Sequence, residues 1–117
     1  MRRGEIRIVD LDLEPVRGSE ANKVRPVVIV SNDAANAKAE TLGRGVVTVV
    51  PLTSNVTRVL PFQVLVGPAD SGLTRPSKVQ AEQVRSVAVE RIGPRVGRLP
   101  PELVEALDRA LRLHLQL

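Results

Sequence analysis

Two apolar runs leave this chain few folds to choose from. Val27-Val28-Ile29-Val30 and Val46-Val47-Thr48-Val49-Val50 consist of β-branched residues, and neither alternates regularly with polar ones. Such side chains favour strands, and a strand that is apolar on both faces must be covered on both. The first run, in a strand from Val24 to Ser31, is therefore expected at the centre of a sheet. Each run also carries polar groups at one end. Arg25-Pro26 opens the first, and Pro51-Leu52-Thr53-Ser54 closes the second. Strand ends held by a rigid sheet are good places to hold a binding or catalytic group.

The rest of the chain is arranged around these strands. A first strand is predicted from Gly4 to Leu11, followed by a loop from Asp12 to Lys23. That loop is long for a hairpin, and such loops are usually lids or binding segments. Asn32 or Asp33 caps a short helix over Ala34–Ala39, ended by Gly43. Further strands are expected at Val46–Leu52 and Phe62–Val66. Lys78–Val89 alternates poorly and reads as one long bent strand or two short ones. Gly93, Pro94, Gly97 and Pro100-Pro101 read as a rigid linker. From Pro100 to Leu117, Leu103, Leu107, Ala110, Leu111 and His114 share one face at helical spacing. The expected fold is one domain over residues 1–117, mainly β (α+β). It is a small curved antiparallel sheet with a short helix and a C-terminal helix.

Composition narrows the chemistry. The chain has no Cys and one His, which argues against zinc sites, disulfides and Ser-His-Asp catalysis, so no metal and no cofactor is expected. It has one Phe and no Trp or Tyr, so the core is aliphatic and stacking on aromatic rings is largely missing. Net charge is +4, and fourteen of the seventeen Lys and Arg residues are Arg. Arginine's planar fork suits phosphate, which favours a polyanionic partner. An Arg-biased genome would give the same excess. No signal peptide and no apolar run of about 20 residues is visible, so a soluble cytoplasmic protein without membrane contact is expected.

Arg25, Thr53 and Ser54 are the first candidates for a site. A guanidinium and a hydroxyl converging on one spot would bind a phosphate. Singly, Arg25 reads as an edge cation and Thr53 as a turn residue; their positions at the ends of two apolar strands favour the site. Glu20, in the first loop, could swing over the same place or remain a solvated loop charge. Glu82 and Gln83 lie in the Lys78–Val89 segment, where a regular strand would put them on opposite faces. The bland alternative for Glu82 is an ion pair with Arg85 or Lys78. His114 reads as a capping or half-buried residue.

The order and spacing of these pieces resemble the MazF/PemK family of toxin ribonucleases over nearly the whole chain. The likeness runs through Arg3-Gly4-Glu5-Ile6, Gly18-Ser19-Glu20, Arg25-Pro26, Val50-Pro51-Leu52-Thr53-Ser54-Asn55, Ser71-Gly72-Leu73 and Glu82-Gln83-Val84-Arg85-Ser86. It is greatest toward the actinobacterial branch. The resemblance implies an SH3-like barrel homodimer that cleaves single-stranded RNA at a short sequence without metal, leaving a 2′,3′-cyclic phosphate and a 5′-hydroxyl. It assigns catalysis to Arg25 and Thr53, and RNA binding or positioning to Glu20 and Gln83. In one branch an aspartate matching Glu82 is the base, but that residue's partner arginine falls at Gln80 here, which favours the Arg25/Thr53 assignment. A small acidic antitoxin with a disordered tail is the implied partner. The alternatives are a non-enzymatic SH3-like binding module and a CcdB-like gyrase poison. The latter depends on a tryptophan-containing end, and this chain has no Trp.

Overall fold

The computed structural model describes residues 1–11 and 24–117. In chain order the elements are β1 (Glu5–Asp10), β2 (Val24–Ile29), α1 (Asp33–Leu42), β3 (Val46–Thr53) and β4 (Gln63–Val66). After these come α2 (Pro68–Ser71), β5 (Ser77–Gln80), a 3₁₀ turn (Ala81–Gln83), β6 (Arg85–Ala88) and a second 3₁₀ turn (Val89–Arg91). β7 (Ile92–Arg98) and α3 (Pro101–Leu115) complete the described chain. The strands form one antiparallel sheet in the order β4-β5-β3-β2-β1-β7, with β6 also paired to β3.

The two apolar runs are β2 and β3, at the centre of the sheet. Alternation sends their side chains into two cores. Val28, Val50 and Leu52 join Ile6 and Leu99 beneath Leu107 and Ala110 of α3. Val27, Ile29, Val47 and Val49 pack on the other side with Ala39 of α1. β3 has eight residues and changes partner along its length. Val46–Val49 pair with β6, whereas Leu52 and Thr53 pair with Val79 and Lys78 of β5. That switch of partner bends the sheet around the first core.

α1 and α3 begin for local reasons. Of the two capping residues offered by the sequence, Asn32 is the cap: its side chain accepts from the Ala35 amide at 2.8 Å, and Gly43 closes α1 in the left-handed conformation. α3 starts at Pro101, where a missing N–H costs nothing. Leu107 and Ala110 are buried and Leu103 and Leu111 half-buried, but His114 is exposed, with its ring centroid 6.2 Å from that of Phe62. Arg3 ties the helix to the sheet by donating to the Val30 carbonyl at 2.8 Å and to Asp108 at 2.6 Å.

Two expectations are corrected. Gly93–Pro101 is no linker, because Ile92–Arg98 forms an edge strand on β1. Pro94 is tolerated there because an edge strand needs hydrogen bonds on one side only, and the pairing with β1 is irregular at Arg7. Lys78–Val89 resolves into the second of its two readings, with two short strands separated by a 3₁₀ turn at Ala81–Gln83.

α2 also explains the curl of the sheet. It follows edge strand β4 yet packs on β7 at the opposite edge. The contact is backbone on backbone. A Cβ at Gly72 would strike the Val96 carbonyl, and one at Gly97 would strike the Ser71 carbonyl. Among the described residues, no helix is long and apolar enough to cross a membrane.

Candidate active site

The ends of β2 and β3 open into a pocket of about 300 Å³. β2 contributes Val24, Arg25 and Pro26, and the end of β3 contributes Leu52, Thr53 and Ser54. The far wall is Leu73, Thr74 and Arg75, with Ser77 at the start of β5. Thus three of the residues singled out from sequence, Arg25, Thr53 and Ser54, line one cavity.

Strand register explains the meeting. Val27 lies opposite Pro51, and continuing that antiparallel register by two residues puts Arg25 opposite Thr53. Opposed residues share a face of the sheet. Arg25 pairs on its other side with buried Val9, and Thr53 pairs with Lys78. Lys78 is already engaged, donating to the Arg58 carbonyl at 2.6 Å and thereby holding the β3–β4 loop. The Asn55 amide donates to Thr53 Oγ1 at 3.2 Å. A hydroxyl that accepts this bond keeps its proton free for a ligand.

The pocket's electrostatics are one-sided. Its lining, among the described residues, holds two guanidinium groups and the hydroxyls of Thr53, Ser54, Thr74 and Ser77, with no carboxylate or imidazole. Among the described residues, neither Arg25 nor Arg75 has a carboxylate in ion-pair range. Concave sites lined by one sign of charge concentrate the opposite ion, and here that is an anion.

None of the remaining sequence candidates is among the described residues that line the pocket. Glu20 and the whole Asp12–Lys23 loop fall outside the described residues. Glu82 and Gln83 sit in the 3₁₀ turn and do not line the pocket. Glu82 pairs with neither Arg85 nor Lys78. Instead it accepts from buried Gln63 at 2.9 Å, while its other oxygen and the side-chain amide oxygen of Gln80 are buried without partners. Gln83 is exposed. Since the turn breaks the alternation, opposite faces of a regular strand no longer describe this pair.

The sequence reading overlooked Arg75, Thr74 and Ser77 as site residues. A signal was present, since Arg75-Pro76 repeats the Arg25-Pro26 pattern of an Arg-Pro pair at the entry to a strand.

The chain is similar to known proteins over nearly its whole length. A family described as PemK-like, MazF-like toxin of type II toxin–antitoxin system matches residues 2–115. Endoribonuclease MazF9 of Mycobacterium tuberculosis is 58% identical over 117 residues, covering 100% of this chain and 98% of the relative. Endoribonuclease EndoA of Bacillus subtilis is 30% identical over 118 residues, covering 100% and 96%. Among solved structures, an endoribonuclease in complex with its cognate antitoxin from a mycobacterial species superposes with TM-score 0.77 at 27% identity, covering 100% of this chain and 96% of that one.

Proposed function

Because the chain belongs to the PemK-like, MazF-like toxin family of type II toxin–antitoxin systems, we propose that it is a toxin endoribonuclease whose active site is the Arg25–Thr53 pocket. The observation that carries the site is that Arg25 and Thr53, at the ends of adjacent central strands, line one pocket, with the Asn55 amide donating to Thr53 Oγ1. The substrate is single-stranded RNA. Its 2′-oxygen attacks the adjacent phosphorus, forming a P–O2′ bond as the P–O5′ bond breaks. The 2′-hydroxyl proton passes to a base, and the departing 5′-oxygen takes up a proton. The products are a 2′,3′-cyclic phosphate and a 5′-hydroxyl.

In this scheme Arg25 stabilises the charge that builds on the phosphorane oxygens, and Thr53 donates a hydrogen bond to one of them. Arginine stays protonated at neutral pH, so Arg25 works as an electrostatic group and not as the base. Ser54 supports RNA binding beside Thr53. Glu82 and Gln83 are candidates for RNA contacts made outside this pocket, and Glu20 is a candidate for binding RNA or partnering Arg25. The partner is proposed to be an acidic antitoxin, which a sequence pI near 10.6 suits. The relative solved with its cognate antitoxin supports that reading. The working unit is proposed to be a homodimer acting in the cytoplasm.

The test is incubation of a single-stranded RNA with the protein in EDTA, followed by identification of the product ends. Cyclic phosphate ends are expected, with cleavage falling roughly 10²–10³-fold in Arg25→Ala and in Thr53→Ala. Cleavage that requires an added divalent ion, or that survives both substitutions, would overturn the proposal.

A further inference from the structure

We infer that Arg75 is a second phosphate-binding arginine of this site, seating the RNA phosphate next to the one that reacts. The inference rests on the ribonuclease reading above and adds a residue to it. Arg25 is half-buried on the sheet, opposite Thr53; Arg75 is exposed on the facing wall of the same pocket. Two like charges share a cavity of about 300 Å³, and none of the described residues lining it is a carboxylate. An anion between them relieves their repulsion and is held by both. A cavity of this size lies at the small end of ligand pockets, so it suits one nucleotide unit with its phosphate. The exposed arginine then meets the strand where it leaves the cavity.

The wall that carries Arg75 is tethered at both ends. Upstream, Gly72 is pressed against the Val96 carbonyl, and Ser71 Oγ accepts from the Leu73 amide at 3.0 Å. Downstream, Pro76 biases Arg75 toward extended backbone, as Pro26 does for Arg25. Ser77 then enters β5, its hydroxyl donating to the Arg75 carbonyl at 3.3 Å. A tethered arginine loses less freedom on binding than one on a loose loop, and its fork suits a phosphate's oxygens.

The experiment pairs kinetics with binding, using one defined single-stranded RNA oligonucleotide. Arg75→Ala is expected to raise KM roughly tenfold, as loss of one charge-assisted bond would, while kcat stays within about twofold. Binding is measured on a Thr53→Ala background, so that RNA is not consumed, across a range of salt concentrations. There Arg75→Ala lowers the slope of log K against log salt by about 0.7, the contribution of one phosphate on a single strand. Arg75→Lys restores the slope but only part of the affinity, because a point charge lacks the fork. Unchanged KM and slope in Arg75→Ala would overturn the inference, even if binding of an acidic antitoxin weakened. A fall in kcat with KM and slope unchanged would overturn it too. Either result leaves the ribonuclease reading intact, since that reading stands or falls on wild-type cleavage and on Arg25→Ala.

Discussion

The bond from the Asn55 amide to Thr53 Oγ1 decides what the threonine offers a ligand. With one lone pair occupied by the backbone, the side chain serves best as a donor, as a phosphorane oxygen requires. Thr53→Ser keeps that oxygen and is expected to retain cleavage within about tenfold. Thr53→Val keeps the shape and loses the donor, so it should fall as far as Thr53→Ala, roughly 10²–10³-fold. A cleavage assay on the two variants checks the order, and an active Thr53→Val would remove the hydroxyl from the chemistry. Thr53 and Arg25 were legible as pocket-lining residues because each lies at one end of an apolar run. Arg75 was harder to read. Its Arg-Pro pair precedes a strand of four residues, Ser77–Gln80, too short to announce itself by periodicity.

At the scale of elements, the junction of α2 with β7 positions the pocket wall. Gly72 and Gly97 meet backbone to backbone, and neither Val96 nor Ser71 can yield as a flexible side chain would. Gly97→Ala is therefore expected to destabilise the fold by about 2 kcal/mol or more, as overpacking a closed contact does. Gly72→Ala should cost more, since Gly72 also adopts a positive φ of 77°. Thermal or denaturant unfolding checks both, and an unchanged midpoint in Gly97→Ala would show that the two elements can separate freely. At α1, Asn32→Ala should cost about 1 kcal/mol through loss of the cap to Ala35. That cap could be read from sequence, because the signal is local. β7 could not, because its glycines and Pro94 resemble a linker until β1 supplies the hydrogen bonds.

At the scale of the whole molecule, α3 holds the first core shut and Arg3 fastens it. Leu107 is 2% exposed among Ile6, Val28, Val64 and Leu99. Leu107→Ala is expected to cost about 2–5 kcal/mol in an unfolding experiment. A loss below 1 kcal/mol would mean that the helix is not needed to close this core. The chain's positive charge and near-lack of aromatics act at this scale as well. RNA affinity should rest on the phosphate backbone and fall steeply with salt, by a slope of about 0.7 for each phosphate contacted. A salt titration with a non-cleaving variant measures that slope. A value near zero would point instead to recognition of bases.

What the sequence determined by itself is what local pattern can carry. β-branched runs without alternation put β2 and β3 at the centre, helical spacing put Leu107 and Ala110 on one face of α3, and polar residues at strand ends marked Arg25, Thr53 and Ser54. The tertiary structure decided what depends on partners distant in the chain. It brought Arg25 and Thr53 to one pocket, moved Glu82 from an expected strand face into a turn beside Gln63, and added Arg75 and Ser77 to the same pocket. The division has a physical cause. Periodicity records which face of an element is buried, whereas register and loop closure come from contacts between residues far apart in sequence, which no single segment encodes.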